Sequence, residues 1–141
     1  MTPQQISLVE ESFRAVHPIR DAAAAIFYRR LFALDPGLRP LFARSDMAEQ
    51  GKKLMASLAF VVGGLRNAGT IVPAAEPLAR RHVGYGVKPG HYRTVGAALI
   101  ETLDEGLGDA FTDEVREAWI AAYALLSGVM IGAAATEEAL A

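Results

Sequence analysis

The chain has 141 residues, 52% of them hydrophobic, with 14 Lys and Arg, 16 Asp and Glu, and no cysteine. That length fits one domain with its own core, and the missing thiols exclude disulfides, zinc–thiolate sites, iron–sulfur clusters, a cysteine nucleophile and thioether attachment of a prosthetic group. A net charge of -2, with the basic residues in pairs (Arg29-Arg30, Lys52-Lys53, Arg80-Arg81) and not in one stripe, argues against nucleic acid as a partner.

Met1-Thr2-Pro3-Gln4-Gln5 has no basic stretch ahead of an apolar core, so no secretory signal is expected and the expected compartment is the cytoplasm. Thr2 to Gln5 instead reads as a capping box with Pro3 in the first turn. It opens a helix on which Ile6, Val9, Phe13 and Val16 recur at helical spacing. His17-Pro18 breaks it, and a second helix from near Asp21 carries Ala24, Phe27, Tyr28, Leu31 and Phe32 until Asp35-Pro36-Gly37. A short helical turn is expected over Leu38 to Phe42. Asp46 with Glu49 starts a long pattern through Gln50, Leu54, Leu58, Val61, Val62 and Leu65, ended by Asn67-Ala68-Gly69.

Pro73 to Gly84 reads as the next helix, with Leu78 and His82 one turn apart. Pro89 opens another to Gly106, and Thr112 caps the last, to about Ala135. No stretch alternates with period two between hairpin turns, so strands are not expected. The whole reads as six or seven helices in a single all-α domain spanning 1–141, packed as a bundle or at globin-type angles.

The last helix contains eighteen uncharged residues, Ala118 to Ala135, close to the roughly 17–25 needed to cross a bilayer. Its high Ala and Gly content, the clustering of Trp119 and Tyr123 at one end and the acidic Glu137-Glu138 beyond weigh against insertion. A helix buried all round, or one pairing with a second copy of the chain, is the expectation.

His82 is the residue with most chemistry to offer. One turn after Leu78 on the same face, it points inward, either as a core histidine satisfied by a neighbouring carbonyl or as a metal ligand. Spacing alone favours the first. A nucleophilic triad finds no support, since Ser45 and Ser57 have no His at suggestive spacing, and no glycine-rich phosphate loop is present.

A wider pattern reverses that balance. Phe42 after Pro40-Leu41, Gln50 with Leu54, His82 within Arg80-Arg81-His82-Val83-Gly84-Tyr85-Gly86-Val87-Lys88-Pro89, then Tyr92 and Val95, and Trp119 with Tyr123, together resemble the globin family along nearly the whole chain. The resemblance is strongest to bacterial single-domain globins and the haem domain of flavohaemoglobins. It extends to neuroglobin over Phe27 to Pro36 and Arg80-Arg81-His82.

The resemblance implies a globin fold of six to eight helices, three over three around haem b, with His82 as the proximal iron ligand. It places Tyr28 and Gln50 on the distal side, where both donate hydrogen bonds to the partial negative charge on bound dioxygen. Leu54 closes the distal pocket, Phe42 stacks on the porphyrin, and Leu78, Val87 and Val95 line the site. Lys53 and Arg81 are implied propionate partners; solvated surface charge is the competing account of both. Gly51 and Ala24 mark a close helix crossing.

Tyr92 matches the proximal Tyr that acts with a Glu of the last helix on the proximal imidazole. Here the sequence departs from the pattern: Thr136 stands where that Glu is expected, with Glu137 and Glu138 just beyond. His91 is near enough to reach a propionate, and His17 is a helix-end residue.

Three functions are in play: a dioxygen-binding globin for storage, delivery or gas sensing, with NO and CO as further ligands; a nitric oxide dioxygenase supplied by a separate reductase; and a haem-free interaction module. The inward polar set His82, Tyr28 and Gln50 argues against the third, because a packed core has no use for three such groups.

Overall fold

Thr2 starts the chain's first helix, α1 (Pro3–Val16): its hydroxyl accepts from the Gln5 N–H at 3.1 Å while the Gln5 side chain accepts from the Thr2 N–H at 3.0 Å. This is the expected capping box, and it satisfies donors that a helix N-terminus leaves unpaired. The computed structural model describes the backbone of residues 1–84 and 88–140, and the side chains of these except at 68, 70, 72, 83, 84, 89 and 133–140.

Five more α-helices follow: α2 (Arg20–Leu34), α3 (Met47–Gly64), α4 (Ile71–Gly84), α5 (Pro89–Leu107) and α6 (Asp113–Leu140). Short 3₁₀ turns, His17–Ile19, Pro36–Phe42, Leu65–Thr70 and Gly108–Ala110, lie between them. Each junction has a local cause. Asp35 accepts the Gly37 N–H and turns the chain out of α2. Asp46 accepts the Ala48 and Glu49 N–H groups to start α3, whereas Glu49 pairs with Lys52 at 3.2 Å and does not complete a capping box. Thr112 caps α6 through the Val115 N–H. At the end of α5, Gly108 takes φ +57°, where a residue with a Cβ is strained.

The expected boundaries hold with two adjustments. α4 begins at Ile71, before Pro73, since a proline in the first turn removes only an N–H that has no partner there. α6 continues past Ala135 to Leu140.

α2 lies against α5 and α3, α1 against α6 and α3, and α4 against α6. The main core draws Val9 and Val16 from α1, Ala24, Phe27 and Leu31 from α2, Met55 from α3, Leu99 and Leu103 from α5, and Trp119 from α6. Trp119 donates its indole N–H to the Ser12 hydroxyl at 2.8 Å, and that hydroxyl donates to the Leu8 carbonyl, so the polar atoms buried there are satisfied. A second cluster joins Ala75, Ala79, Tyr92 and Met130, with Leu78, Val129 and Ile131 packed on it, and Leu126 of α6 touches both clusters.

The expectation of a last helix buried all round is corrected. Ala118, Trp119, Ala122 and Met130 are buried, but Ile120 is 44% exposed and Ala124 and Gly128 face outward. The stretch Asp113–Gly132 is long and apolar enough to cross a membrane by length and composition. In the fold its small residues serve close packing on α1 and α4 along one face.

Candidate functional site

α2 brings Tyr28 into the core with its ring against Phe27 at 5.0 Å and Phe42 at 5.5 Å, both edge-on, and Phe32 at 6.1 Å. Phe42 also meets Phe32 at 5.5 Å, so the 3₁₀ turn after α2 closes an aromatic wall. Burial pushes the Tyr28 phenol above its ordinary pKa, and the nearby Gln50 side chain, from the first turn of α3, opposes part of that rise. Tyr28 therefore keeps its proton throughout the physiological range.

Two helices 22 positions apart in sequence meet at that pair because their backbones approach closely. A Cβ placed on Gly51 would lie 2.9 Å from the Ala24 Cβ. The small-residue crossing read from Gly51 and Ala24 is therefore present. Leu54, one turn beyond Gln50, is half-buried and lines a small apolar cavity with Phe13, Val16, Phe27 and Leu99.

On the other side, α4 presents His82. Its Nδ1 lies 2.7 Å from the Leu78 carbonyl oxygen, which can only accept, so Nδ1 carries the proton and Nε2 the lone pair. Burial is the main cause holding the imidazole pKa below its ordinary value; the Leu78 bond opposes this and the Arg81 charge adds to it. A neutral imidazole with a fixed tautomer suits a metal ligand. Among the described residues no three His, Asp or Glu side chains gather to cage a bare ion. A metal on His82 would have to bring most of its own ligands, as a porphyrin does.

Tyr92, in the first turn of α5, stacks on His82 with ring centroids 6.4 Å apart and planes at 26°. Among the described residues its hydroxyl is buried without a hydrogen-bond partner. An orphaned polar atom on the ring packed against the imidazole fits a site that takes a group with a polar edge.

Val95 is half-buried on the main cluster and Leu78 on the second. Lys53 and Arg81 are both exposed. Val87 lies outside the described residues, as do the side chains of Thr136, Glu137 and Glu138. His91 is committed elsewhere: its Nδ1 accepts the Lys88 N–H at 3.0 Å and starts α5. His17 is exposed in the 3₁₀ turn after α1.

One positioning residue was missed as such. Tyr123 of α6 donates its hydroxyl to the Tyr92 carbonyl, and its ring fills the space above Gly96, where a Cβ would sit 2.7 Å away. Burial, and then Tyr92, push its pKa up strongly. The sequence signal was Gly96, one turn after Tyr92 on α5.

The sequence profile described as Globin matches residues 25–130. The flavohemoprotein of Vibrio cholerae is 32% identical over 133 residues, covering 93% of this chain and 34% of that protein; the Bordetella parapertussis flavohemoprotein is 32% identical over 134 residues, covering 94% and 33%. The chain thus spans about a third of the length of these relatives. A bacterial globin from Campylobacter jejuni superposes with a TM-score of 0.86 at 23% identity, covering 97% of this chain and 99% of that one. An engineered carbene transferase derived from a candidate nitric oxide dioxygenase of Rhodothermus marinus gives 0.89 at 27% identity, covering 99% and 97%. With the helix order and the inward-facing His82, these likenesses lead to one conclusion: the chain belongs to the globin family and has the globin fold.

Proposed function

We propose that the chain is a single globin domain of the cytoplasm that holds haem b on His82 and reversibly binds dioxygen for storage, delivery or sensing. The observation that carries this reading is the Tyr28–Gln50 pair: a buried phenol, walled by Phe27, Phe32 and Phe42, has a neutral amide from another helix beside it and keeps its proton. Haem, when bound, supplies the redox-active iron to which a diatomic gas attaches.

This chain's residues do the rest. The Leu78 carbonyl fixes the tautomer of His82 with the Nε2 lone pair available to a metal, and Phe42, Leu54, Leu78 and Val95 would exclude water from the ring. Lys53 and Arg81 neutralise the propionates at the solvent edge. The Tyr28 hydroxyl and the Gln50 amide would each donate a hydrogen bond to the bound gas. Tyr28 and Gln50, neither of them an imidazole, would leave the bound group free to take dioxygen, NO or CO on that side.

A second reading, oxidation of NO with dioxygen and one electron to nitrate, draws on the same distal pair and on the similarity to flavohemoproteins. It requires a reductase. Tyr92 and whichever of Glu137 and Glu138 replaces the acid missing at Thr136 would strengthen electron donation by His82.

The test is optical. Protein expressed with added haem should show a Soret band that shifts on adding CO, and His82→Ala should abolish it; colourless protein refutes both readings. Steady NO consumption with a general reductase, no faster than that of an ordinary oxygen-carrying globin, would leave the first.

A further inference from the structure

Tyr92 keeps its hydroxyl in an unfavourable place. Its ring is stacked on His82 and clusters with Ala75 and Ala79 of α4 and Met130 of α6, while the hydroxyl, buried with it, has no partner among the described residues. A buried O–H without a partner is disfavoured relative to one in water, so the side chain would gain by turning outward. Its own helix is a weak restraint at that point. Tyr92 stands in the first turn of α5, which is started by the Lys88 N–H donating to the His91 imidazole at 3.0 Å, and helix ends are where fraying begins.

The restraint comes from α6. Tyr123, 31 positions along the chain, donates its hydroxyl to the Tyr92 carbonyl, an oxygen with a second lone pair besides the one that a helix uses. Its ring takes the room left by Gly96, where a Cβ would lie 2.7 Å from Cε2 and 3.0 Å from Cδ2 of Tyr123. Gly96 is one turn after Tyr92 on α5. The Tyr123 side chain therefore lies across a full turn of that helix, gripping the backbone at one end and filling a missing side chain at the other.

We propose that Tyr123 is a positioning residue for His82: by gripping the Tyr92 carbonyl and filling the Gly96 gap, it holds the Tyr92 ring on the imidazole and keeps water from that side of it. The inference rests on the haem reading above and extends it to the iron's electron affinity. A ferric centre carries one more positive charge than a ferrous one and gains more from nearby water, so burial of the proximal imidazole is a lever on the potential. Tyr92 in place favours the ferrous form, and Tyr92 turned outward favours the ferric.

The test is a potentiometric titration of the haem-loaded protein. Tyr123→Phe keeps the ring over Gly96 and removes the hydroxyl; at a fixed potential it should shift the ferric-to-ferrous ratio about tenfold toward ferric, a midpoint lower by about 59 mV. Gly96→Ala leaves both hydroxyls, drives a Cβ into the Tyr123 ring and should shift the midpoint the same way. In a Tyr92→Phe background, where no hydroxyl seeks water, Tyr123→Phe should add nothing. Nitration by tetranitromethane with peptide mass mapping needs no haem: Tyr92 should react roughly tenfold faster in Tyr123→Phe than in wild type, as its unpaired hydroxyl reaches solvent. A lower melting temperature with unchanged midpoint and nitration rate makes Tyr123 merely structural and overturns the proposal. So does an equal midpoint shift in the Tyr92→Phe background, because Tyr123 then acts without Tyr92. Coloured protein with an unmoved midpoint fails this inference alone. Colourless protein fails the haem reading, and the nitration rate then decides whether Tyr123 restrains Tyr92.

Discussion

Tyr28 illustrates how a single side chain can be necessary to the fold and to the site at once. Its ring is packed on three phenylalanines, so Tyr28→Phe preserves the aromatic wall and removes only the hydroxyl. The expected result is a dioxygen dissociation rate about tenfold higher, if the lost hydrogen bond contributes about 1.5 kcal/mol. Stopped-flow displacement by CO measures this, and an unchanged rate means that the hydroxyl does not reach the gas. The residue types of the pair were legible in the sequence, but their proximity was not: Tyr28 and Gln50 belong to different helices, and on local pattern alone one is a packing residue and the other lies in an exposed first turn. His82 was similar. Its inward face followed from Leu78, yet a carbonyl-satisfied core histidine and a ligand with a fixed tautomer make the same 2.7 Å contact. Neutrality, and the unpartnered Tyr92 hydroxyl beside it, needed the assembled neighbourhood.

Helix ends were readable because their causes are short-range. Thr2 with Gln5, Asp35 with Gly37 and Asp46 with Ala48 all act within three residues of themselves. Where helices cross, the sequence offers only small residues as a hint, and the structure distinguishes among them. Gly51 has the Ala24 Cβ at 2.9 Å, whereas a Cβ on Gly63 of the same helix meets nothing within 4 Å. Gly51→Val should therefore lose roughly 1–3 kcal/mol through overpacking, and Gly63→Ala should gain up to about 1 kcal/mol from helix propensity. Denaturant titration of the two variants checks the contrast; equal effects would mean that α2 and α3 do not pack at this distance. Because Gln50 precedes Gly51, the valine variant should also disturb the gas kinetics.

At the scale of the molecule, Glu105 fastens α2 to α5 through Arg29 and Arg30, and these cations hold its carboxyl below the ordinary carboxylate pKa. A carboxylate favoured in the folded state adds stability above its unfolded pKa and loses it as pH falls through the lower folded value. Thermal melts should show wild type more stable than Glu105→Gln at neutral pH, with the gap closing in the acid range below ordinary carboxylate titration and shrinking with salt. A gap independent of pH would mean that Glu105 acts by packing. The paired basic residues were visible in the chain, but not which pairs are neutralised: the acids that hold Arg29 and Arg30 lie more than seventy positions away. The sequence by itself determined an all-α chain and its helix boundaries to within a few residues, because caps, prolines and apolar periodicity act locally, and its resemblance to globins named the candidate site residues. Only the tertiary structure decided that the last helix has an open face, that Gly51 packs on Ala24 and that Tyr123 anchors Tyr92. Each of these depends on contacts between residues far apart in the chain, which no local pattern encodes.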